Sequence, residues 1–191
     1  MALILFNKPF QVMCQFSPHP TRPTLASYVT HPGVYPAGRL DADSEGLLLL
    51  TDDGPLQHRI SHPDSKQAKT YIVQVEGRPD AFALARLNAP MDLGDFVTAA
   101  ARVREIEPPQ WLWARNPPIR MRASIETSWL AVTISEGKNR QVRRMTAAAG
   151  LPTLRLVRIA IGPFSLEMHP LLPGEWKMVD PDELETARAP V

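Results

Sequence analysis

The sequence predicts an α+β fold with a largely antiparallel sheet, and three observations support this class. Apolar residues occur in short runs or alternate with polar residues, as is typical of strands. The predicted elements are mostly strands with short helices between them, which favours antiparallel pairing. The 191 residues include 20 prolines, about twice the usual share of roughly 5%, and this favours fixed loops over long helices.

Local signals place each element along the chain. Thr24 suits a helix cap, Pro55 and Pro79 suit first helical turns, and Gly150 suits a helix C-terminus. Strands are predicted over residues 2–6, 12–16, 47–50, 70–76, 96–106, 129–134, 154–161 and 176–179. Helices are predicted over residues 24–30, 55–61, 79–88 and 181–187, and between Gly137 and Gly150.

Length and composition favour a globular protein with a proper core. The chain fits one domain over residues 1–191, or two closely joined halves, and 44% of its residues are hydrophobic. The single cysteine, Cys14, excludes an internal disulfide and suits a reducing cytoplasm. The apolar start over residues 2–6 is too short for a signal peptide or a membrane span, so no membrane attachment is expected.

Charge is unevenly distributed, although the net charge is only +1. The segment from Asp41 to Asp53 contains five acidic residues and no base. The segment from Gly137 to Leu166 contains no acid and six basic residues: Lys138, Arg140, Arg143, Arg144, Arg155 and Arg158. An acidic reacting centre and a separate basic surface suit an enzyme that binds polyphosphate and does chemistry with a carboxylate.

Asp41 is the candidate reacting group. It lies just upstream of the leucine run 47–50, which is bounded by Gly46 and an Asp-Asp-Gly turn and therefore predicts a buried strand. A short loop before a rigid strand can aim a carboxylate at a substrate. Arg39 is the one basic residue close by in the sequence.

The acidic segment has three other interpretations. It matches several positions of a calcium-binding loop, but Asp52 stands where the bidentate Glu is required. Residues 41–44 resemble the nucleophile motif of phosphotransferases of the haloacid dehalogenase type, but the apolar strand that precedes the nucleophile in that family is missing here. A solvated acidic turn remains an alternative. A metal site at His58 and His62 is not expected, because the helix supplies no clear third ligand.

Two further segments contain candidate site residues. Tyr71 lies on one face of the alternating strand 70–76, where an ordinary half-buried packing role is the alternative. In the helix before Gly150, the wheel places Arg140, Arg143 and Arg144 opposite the apolar residues. A solvated basic face and a phosphate-binding face are both consistent with that pattern.

Four segments in order resemble the RsuA-type family of bacterial pseudouridine synthases. They are Asn7-Lys8-Pro9, the glycine-rich stretch from Gly38 to Gly54, Lys69-Thr70-Tyr71, and the stretch from Glu136 to Met145. The resemblance as a whole extends over roughly residues 3 to 180, and a match in several parts is specific. Ser44 replaces the usual Thr, and Asn139-Arg140 replaces a commoner Tyr-His. With no S4-type RNA-binding domain in front, the chain is most similar to the RluE branch, which acts on large-subunit ribosomal RNA.

The resemblance implies a bent mixed sheet with a central cleft and the isomerisation of a uridine in ribosomal RNA, with no cofactor and no metal. Asp41 would act on the flipped-out nucleotide, either by adding to it or by removing its C2′ proton. Tyr71 would pack on the uracil and accept a proton, and Arg143 would pair with Asp41. The expected RNA contacts are Arg39, Lys8, Lys138, Arg140 and Arg144. A cytoplasmic monomer is expected.

Two other functions remain open from the residues alone. The basic helix would also suit a non-catalytic RNA-binding or ribosome-assembly module, which binds RNA without turnover. Against this, carboxylates repel phosphate, so a pure binder has no use for the acidic segment around Asp41. A hydrolase that uses Asp41 and Asp43 is the third alternative.

Overall fold

A computed structural model describes residues 1–62, 65, 67–119 and 125–186 of the chain. The chain divides into two compact units. Unit 1 comprises Met1–Gln67 and Arg158–Val191, and unit 2 comprises Ala68–Val157. The two units are described in turn.

The elements are mostly short strands, which confirms the predicted α+β class with a largely antiparallel sheet. The strands are β1 Leu3–Lys8, β2 Tyr35–Pro36, β3 Glu45–Thr51, β4 Lys69–Glu76, β5 Arg102–Ile106, β6 Thr127–Ile134, β7 Thr153–Ile161, β8 Phe164–Ser165 and β9 Trp176–Val179. The helices are α1 Gly54–Ser61, α2 Ala81–Asn88, α3 Gln141–Ala148 and α4 Glu183–Thr186, and a 3-10 turn covers Leu25–Ser27.

In unit 1 the strand order is β7-β3-β1-β9, and β2 also pairs with β3. Strands β1 and β3 are antiparallel, with Leu3 opposite Thr51 and Lys8 opposite Gly46. Every residue of both strands is buried. Both faces of these strands are therefore covered, which explains why each contains a continuous apolar run, residues 3–6 in β1 and 47–50 in β3, rather than an alternating pattern.

The unit boundary falls within β7, whose residues up to Val157 belong to unit 2 and whose residues from Arg158 belong to unit 1. In unit 2 the strand order is β5-β6-β4-β7, and β6 is antiparallel to both β4 and β5. Helix α2 begins after Asp80, whose Oδ1 accepts a hydrogen bond from the Ala83 amide at 2.7 Å. The Asn88 side chain bonds both the amide and the carbonyl of Val103, at 2.8 and 2.9 Å. These two bonds fix the end of α2 against β5.

Several predicted elements differ from the structure. Residues 12–16 form no strand, because their main chain bonds a loop instead: the Met13 amide donates to Pro23 O at 2.9 Å. In the stretch 96–106, only Arg102–Ile106 is a strand. Conversely, β1 continues through Lys8, because β3 provides a partner as far as Gly46.

The helix predictions also need adjustment. Thr24 precedes only a 3-10 turn and makes no side-chain capping bond. Helix α1 is capped by Asp53, whose Oδ1 accepts from the Leu56 amide at 2.6 Å. The predicted helix over residues 181–187 forms over Glu183–Thr186, and residue 187 lies outside the described residues.

Candidate active site

Asp41 lies in the loop that enters β3, and main-chain hydrogen bonds hold this loop. The Ser44 amide donates to Asp41 O at 3.1 Å, which closes a turn around the aspartate. The Gln11 amide donates to Ala42 O at 2.7 Å, from the loop that follows β1. Leu40 is buried beside them. The half-buried Asp41 therefore has a defined main-chain position in unit 1.

Hydrogen bonds from Arg158 connect the loop that contains Asp41 to β3. The sequence analysis did not identify this role. Arg158 Nε donates to Leu47 O at 2.8 Å and Arg158 Nη1 donates to Arg39 O at 3.2 Å. The side chain is only 3% exposed. The charge pattern alone placed Arg158 in a basic segment, but the structure places it inside unit 1.

Lys8 is also internal, which corrects the expectation that it contacts RNA. The residue is 0% exposed, and its Nζ donates to Pro9 O and Val12 O, both at 3.0 Å. Burial lowers the pKa of Lys8 to about 8, while Cys14 and Glu45 act in the opposite direction. Lys8 therefore stabilises the loop after β1 and is not part of an RNA-binding surface.

A cavity of about 460 Å³ opens beside the start of the Asp41 loop, within unit 1. It is a shallow depression, largely open to solvent. Arg39 is exposed at its wall, two residues from Asp41. The lining residues are Cys14, Gln15, Pro36, Gly38, Arg39, Gln57 and Ser61.

Tyr71 and Arg143 belong to unit 2, whereas Asp41 belongs to unit 1. Tyr71 lies in β4, opposite Val132 of β6, and only 7% of its surface is exposed. Arg143 lies in α3 and is half-buried, whereas Arg140 is exposed. The two arginines, which the helical wheel grouped together, therefore differ in environment.

Gln141 and Glu136 organise the start of α3, and the sequence analysis missed both. Gln141 is buried, and its Oε1 accepts from the Lys138 amide at 3.1 Å. Its Nε2 donates to Glu136 Oε2 at 2.7 Å, and Glu136 Oε1 accepts from the Ala99 amide at 2.6 Å. These bonds replace an ordinary side-chain cap, because Arg140 at the N-cap is left-handed and makes no capping bond.

The basic surface of unit 2 is smaller than the charge count suggested. Lys138 and Arg140 are exposed. Arg144 forms an ion pair with Asp95, donates to Leu93 O at 2.5 Å and lies 5.0 Å from the Phe96 ring. This guanidinium lowers the pKa of the Asp95 carboxyl through its hydrogen bonds.

The remaining basic residue of that segment in unit 2 is Arg155. It is 6% exposed and lies 5.8 Å from the Trp113 ring. Neither Arg155 nor Arg158, which is also buried, is part of the exposed basic surface.

His58 lies in α1, and His62 directly follows the last residue of that helix. The His58 and His62 rings stack with centroids 4.4 Å apart. Among the described residues, no group of three or more His, Cys, Asp or Glu side chains could hold a metal ion.

Within the part of the chain that the structure describes, every helix is too short or too polar to span a membrane.

Comparison with known proteins gives consistent matches over most of the chain. The sequence profile of the RNA pseudouridylate synthase family matches residues 2–148. A Xanthomonas campestris pv. campestris protein named ribosomal large subunit pseudouridine synthase E is 55% identical over 188 residues, which cover 97% of this chain and 100% of that protein. A Vibrio vulnificus protein of the same name is 53% identical, covering 93% of this chain and 74% of that protein.

Solved structures agree with the sequence matches. A crystal structure of a pseudouridylate synthase superposes with a TM-score of 0.78 at 29% identity, covering 96% of this chain and 72% of the other. The human RNA pseudouridylate synthase domain containing 1 protein shares the fold, with a TM-score of 0.58 at 12% identity, over 84% of this chain and 74% of that one.

Proposed function

Because this chain belongs to the RNA pseudouridylate synthase family, we propose that it converts a specific uridine of large-subunit ribosomal RNA to pseudouridine. The names of the Xanthomonas and Vibrio relatives support the choice of RNA. We further propose that it acts as a monomer in the cytoplasm, where its single cysteine, Cys14, stays reduced.

The reaction defines what the protein must supply. The N1–C1′ bond of uridine breaks, the uracil turns, and a C5–C1′ bond forms, while C5 loses a proton and N1 gains one. Atoms and electrons balance without an added group or a redox partner. The protein must extrude the base from the RNA, hold the detached uracil, and provide a carboxylate near the sugar.

Asp41 is proposed to be that carboxylate, either as a nucleophile or as the base that removes the C2′ proton. The observation that carries this assignment is the main-chain support of its loop. Amides hold the carbonyls of Asp41 and Ala42, and the loop leads into the fully buried strand β3. A reacting group must be held to within about 0.5 Å for efficient catalysis, and these main-chain bonds give the loop of Asp41 that support.

The other proposed roles follow from the family motifs. Tyr71 packs on the uracil and accepts a proton. Arg143 pairs with Asp41 and keeps its carboxylate ionised. Lys138 and Arg140, which are exposed, contact RNA phosphates. Arg39, at the wall of the cavity of unit 1, contacts the RNA beside the flipped nucleotide.

Replacing Asp41 tests the proposed chemistry. Asp41→Asn should abolish pseudouridine formation while the fold and RNA affinity stay intact, because an amide of the same shape is neither a nucleophile nor a base. Product is measured by chromatography of nucleosides digested from large-subunit RNA after a single turnover. Activity above about one part in a thousand of wild type, more than the loss of an essential group allows, would remove Asp41 from the mechanism.

Asp52→Asn is the matched control, because it makes the same chemical change beyond the opposite end of β3, where Asp52 is exposed. It should turn over at the wild-type rate. The choice of substrate is tested separately by mapping pseudouridines in ribosomal RNA from cells that lack this protein. A complete large-subunit map in those cells would overturn the proposed substrate.

A further inference from the structure

We propose that Arg158 is a positioning residue, which holds the loop that carries Asp41 at the correct place for reaction. This inference rests on the proposed role of Asp41. Arg158 does not act on RNA; it acts through the main chain of the loop.

The guanidinium connects two different segments of unit 1. Its Nε donates to Leu47 O in β3, at 2.8 Å, and its Nη1 donates to Arg39 O in the loop, at 3.2 Å. The donors of a guanidinium lie in one rigid plane at fixed separations. The two carbonyls are therefore held at a defined spacing, and the residues between them include Asp41.

Burial strengthens this connection. At 3% exposure, the charged donors of Arg158 are shielded from solvent and salt, and charge-assisted hydrogen bonds are about twice as strong as neutral ones. The same burial prevents Arg158 from reaching an RNA phosphate. Its removal should consequently alter the placement of the loop rather than the affinity for RNA.

Gly46 lies against the main chain of Arg158. An ideal Cβ at Gly46 would lie 2.2 Å from Arg158 O and 2.9 Å from Arg158 N, and the φ of Gly46 is +104°. Only glycine permits this approach and this backbone conformation. The main chain of β3 therefore contacts the main chain of β7 at the residue whose side chain holds the loop.

A second anchor lies on the other side of Asp41. The Gln11 amide donates to Ala42 O at 2.7 Å, and Lys8 Nζ braces the Gln11 loop through Pro9 O and Val12 O. Asp41 thus lies between two carbonyls, those of Arg39 and Ala42, that are each held from outside the loop. Losing one anchor leaves the loop attached but its geometry looser.

The test compares Arg158→Met and Arg158→Lys in the full-length protein. Arg158→Met removes both bonds, so the single-turnover rate at saturating RNA should fall ~10- to 100-fold, as expected for a small misplacement of a reacting group. Arg158→Lys keeps the charge but has one donor centre, so it should show an intermediate rate. The dissociation constant for RNA should stay within about twofold in both, because no phosphate contact is lost.

Amide hydrogen exchange supplies a direct measure of position. The amides of residues 39–44 should exchange faster in both variants, whereas those of β3 should stay protected. Thr51→Val is the control for lost stability alone. It removes two hydrogen bonds at the far end of β3: Thr51 Oγ1 donates to Ala2 O at 2.6 Å and accepts from the Asp53 amide at 3.1 Å. It should leave both the rate and the loop exchange unchanged.

Three results would overturn the proposal: a rate loss equal to that of Thr51→Val, unchanged exchange over residues 39–44, or a loss that appears only in RNA affinity. If Arg158→Met does not fold, the same measurements on Arg158→Lys decide the question. If Asp41→Asn is inactive and both Arg158 variants react at the wild-type rate, the positioning role of Arg158 is refuted and the role of Asp41 stands. An active Asp41→Asn would instead refute the proposed role of Asp41.

Discussion

Raising the pH should stabilise the wild-type protein relative to the variant Lys8→Met. The pKa of Lys8 is lowered from 10.5 to about 8, chiefly because the residue is buried. Below pH 8 the lysine is protonated in both the folded and the unfolded chain, and the cost of burying the ammonium is fully present. Each tenfold change in proton affinity corresponds to about 1.4 kcal/mol, so this cost is about 3 kcal/mol.

The direction follows from proton linkage. Between pH 8 and 10.5 the folded chain has released the proton of Lys8 while the unfolded chain still binds it. The free energy of unfolding therefore rises with pH in this window, and the cost has disappeared above it. The Lys8→Met variant has no titrating group at this position, so this pH dependence is absent from it. It also lacks the two bonds to Pro9 O and Val12 O, whose loss does not depend on pH to first order.

The assay is urea unfolding of both proteins at several pH values from 6 to 11. Other groups titrate in the same range, but they act on both proteins, so the difference between the two free energies isolates Lys8. This difference should be constant below pH 8 and then rise in favour of wild type by about 3 kcal/mol. A difference that stays flat, or that falls, would show that Lys8 is not buried as an ammonium in solution.

The remaining predictions concern turnover and RNA binding. Tyr71→Phe keeps the ring, so it should bind RNA normally but stall during turnover; normal turnover would leave Tyr71 a packing role only. Arg143→Met should lower the single-turnover rate at least ~100-fold with little loss of affinity, because it removes the proposed charge partner of Asp41. Arg140→Met should instead weaken binding and reduce its salt dependence by about one unit of slope, since Arg140 is exposed. Arg144→Met should affect binding less than Arg140→Met, because Arg144 is already paired within unit 2. Equal rates and equal salt slopes in the three arginine variants would contradict these assignments.

Many of the elements could be predicted because local pattern and burial coincide in them. The leucine run 47–50 lies inside β3 and is fully buried. The alternation in Thr127–Ile134 matches alternate burial along β6. In such segments the side chains themselves decide which face is covered, so a pattern of period two or an apolar run is sufficient evidence for a strand.

Prediction failed where the structure of a segment depended on hydrogen-bond partners outside that segment. Residues 12–16 have strand-like composition but bond to the chain around Pro23 instead of joining the sheet. Strand β1 extends to Lys8 only because β3 pairs with it there. Hydrogen-bond partners far away in the sequence, rather than intrinsic preference, determine such boundaries.

The sequence by itself determined which segments contain the candidate site, because an acidic loop before an apolar strand and a basic amphipathic helix can both be recognised from local pattern. It could not determine which basic residues face solvent. Lys8, Arg155 and Arg158 have the same charge as the exposed Lys138 and Arg140, yet the structure buries the first three. Only the tertiary structure decided this, because burial depends on which strands and loops cover a side chain, and a buried cation is retained when nearby carbonyls accept its hydrogen bonds.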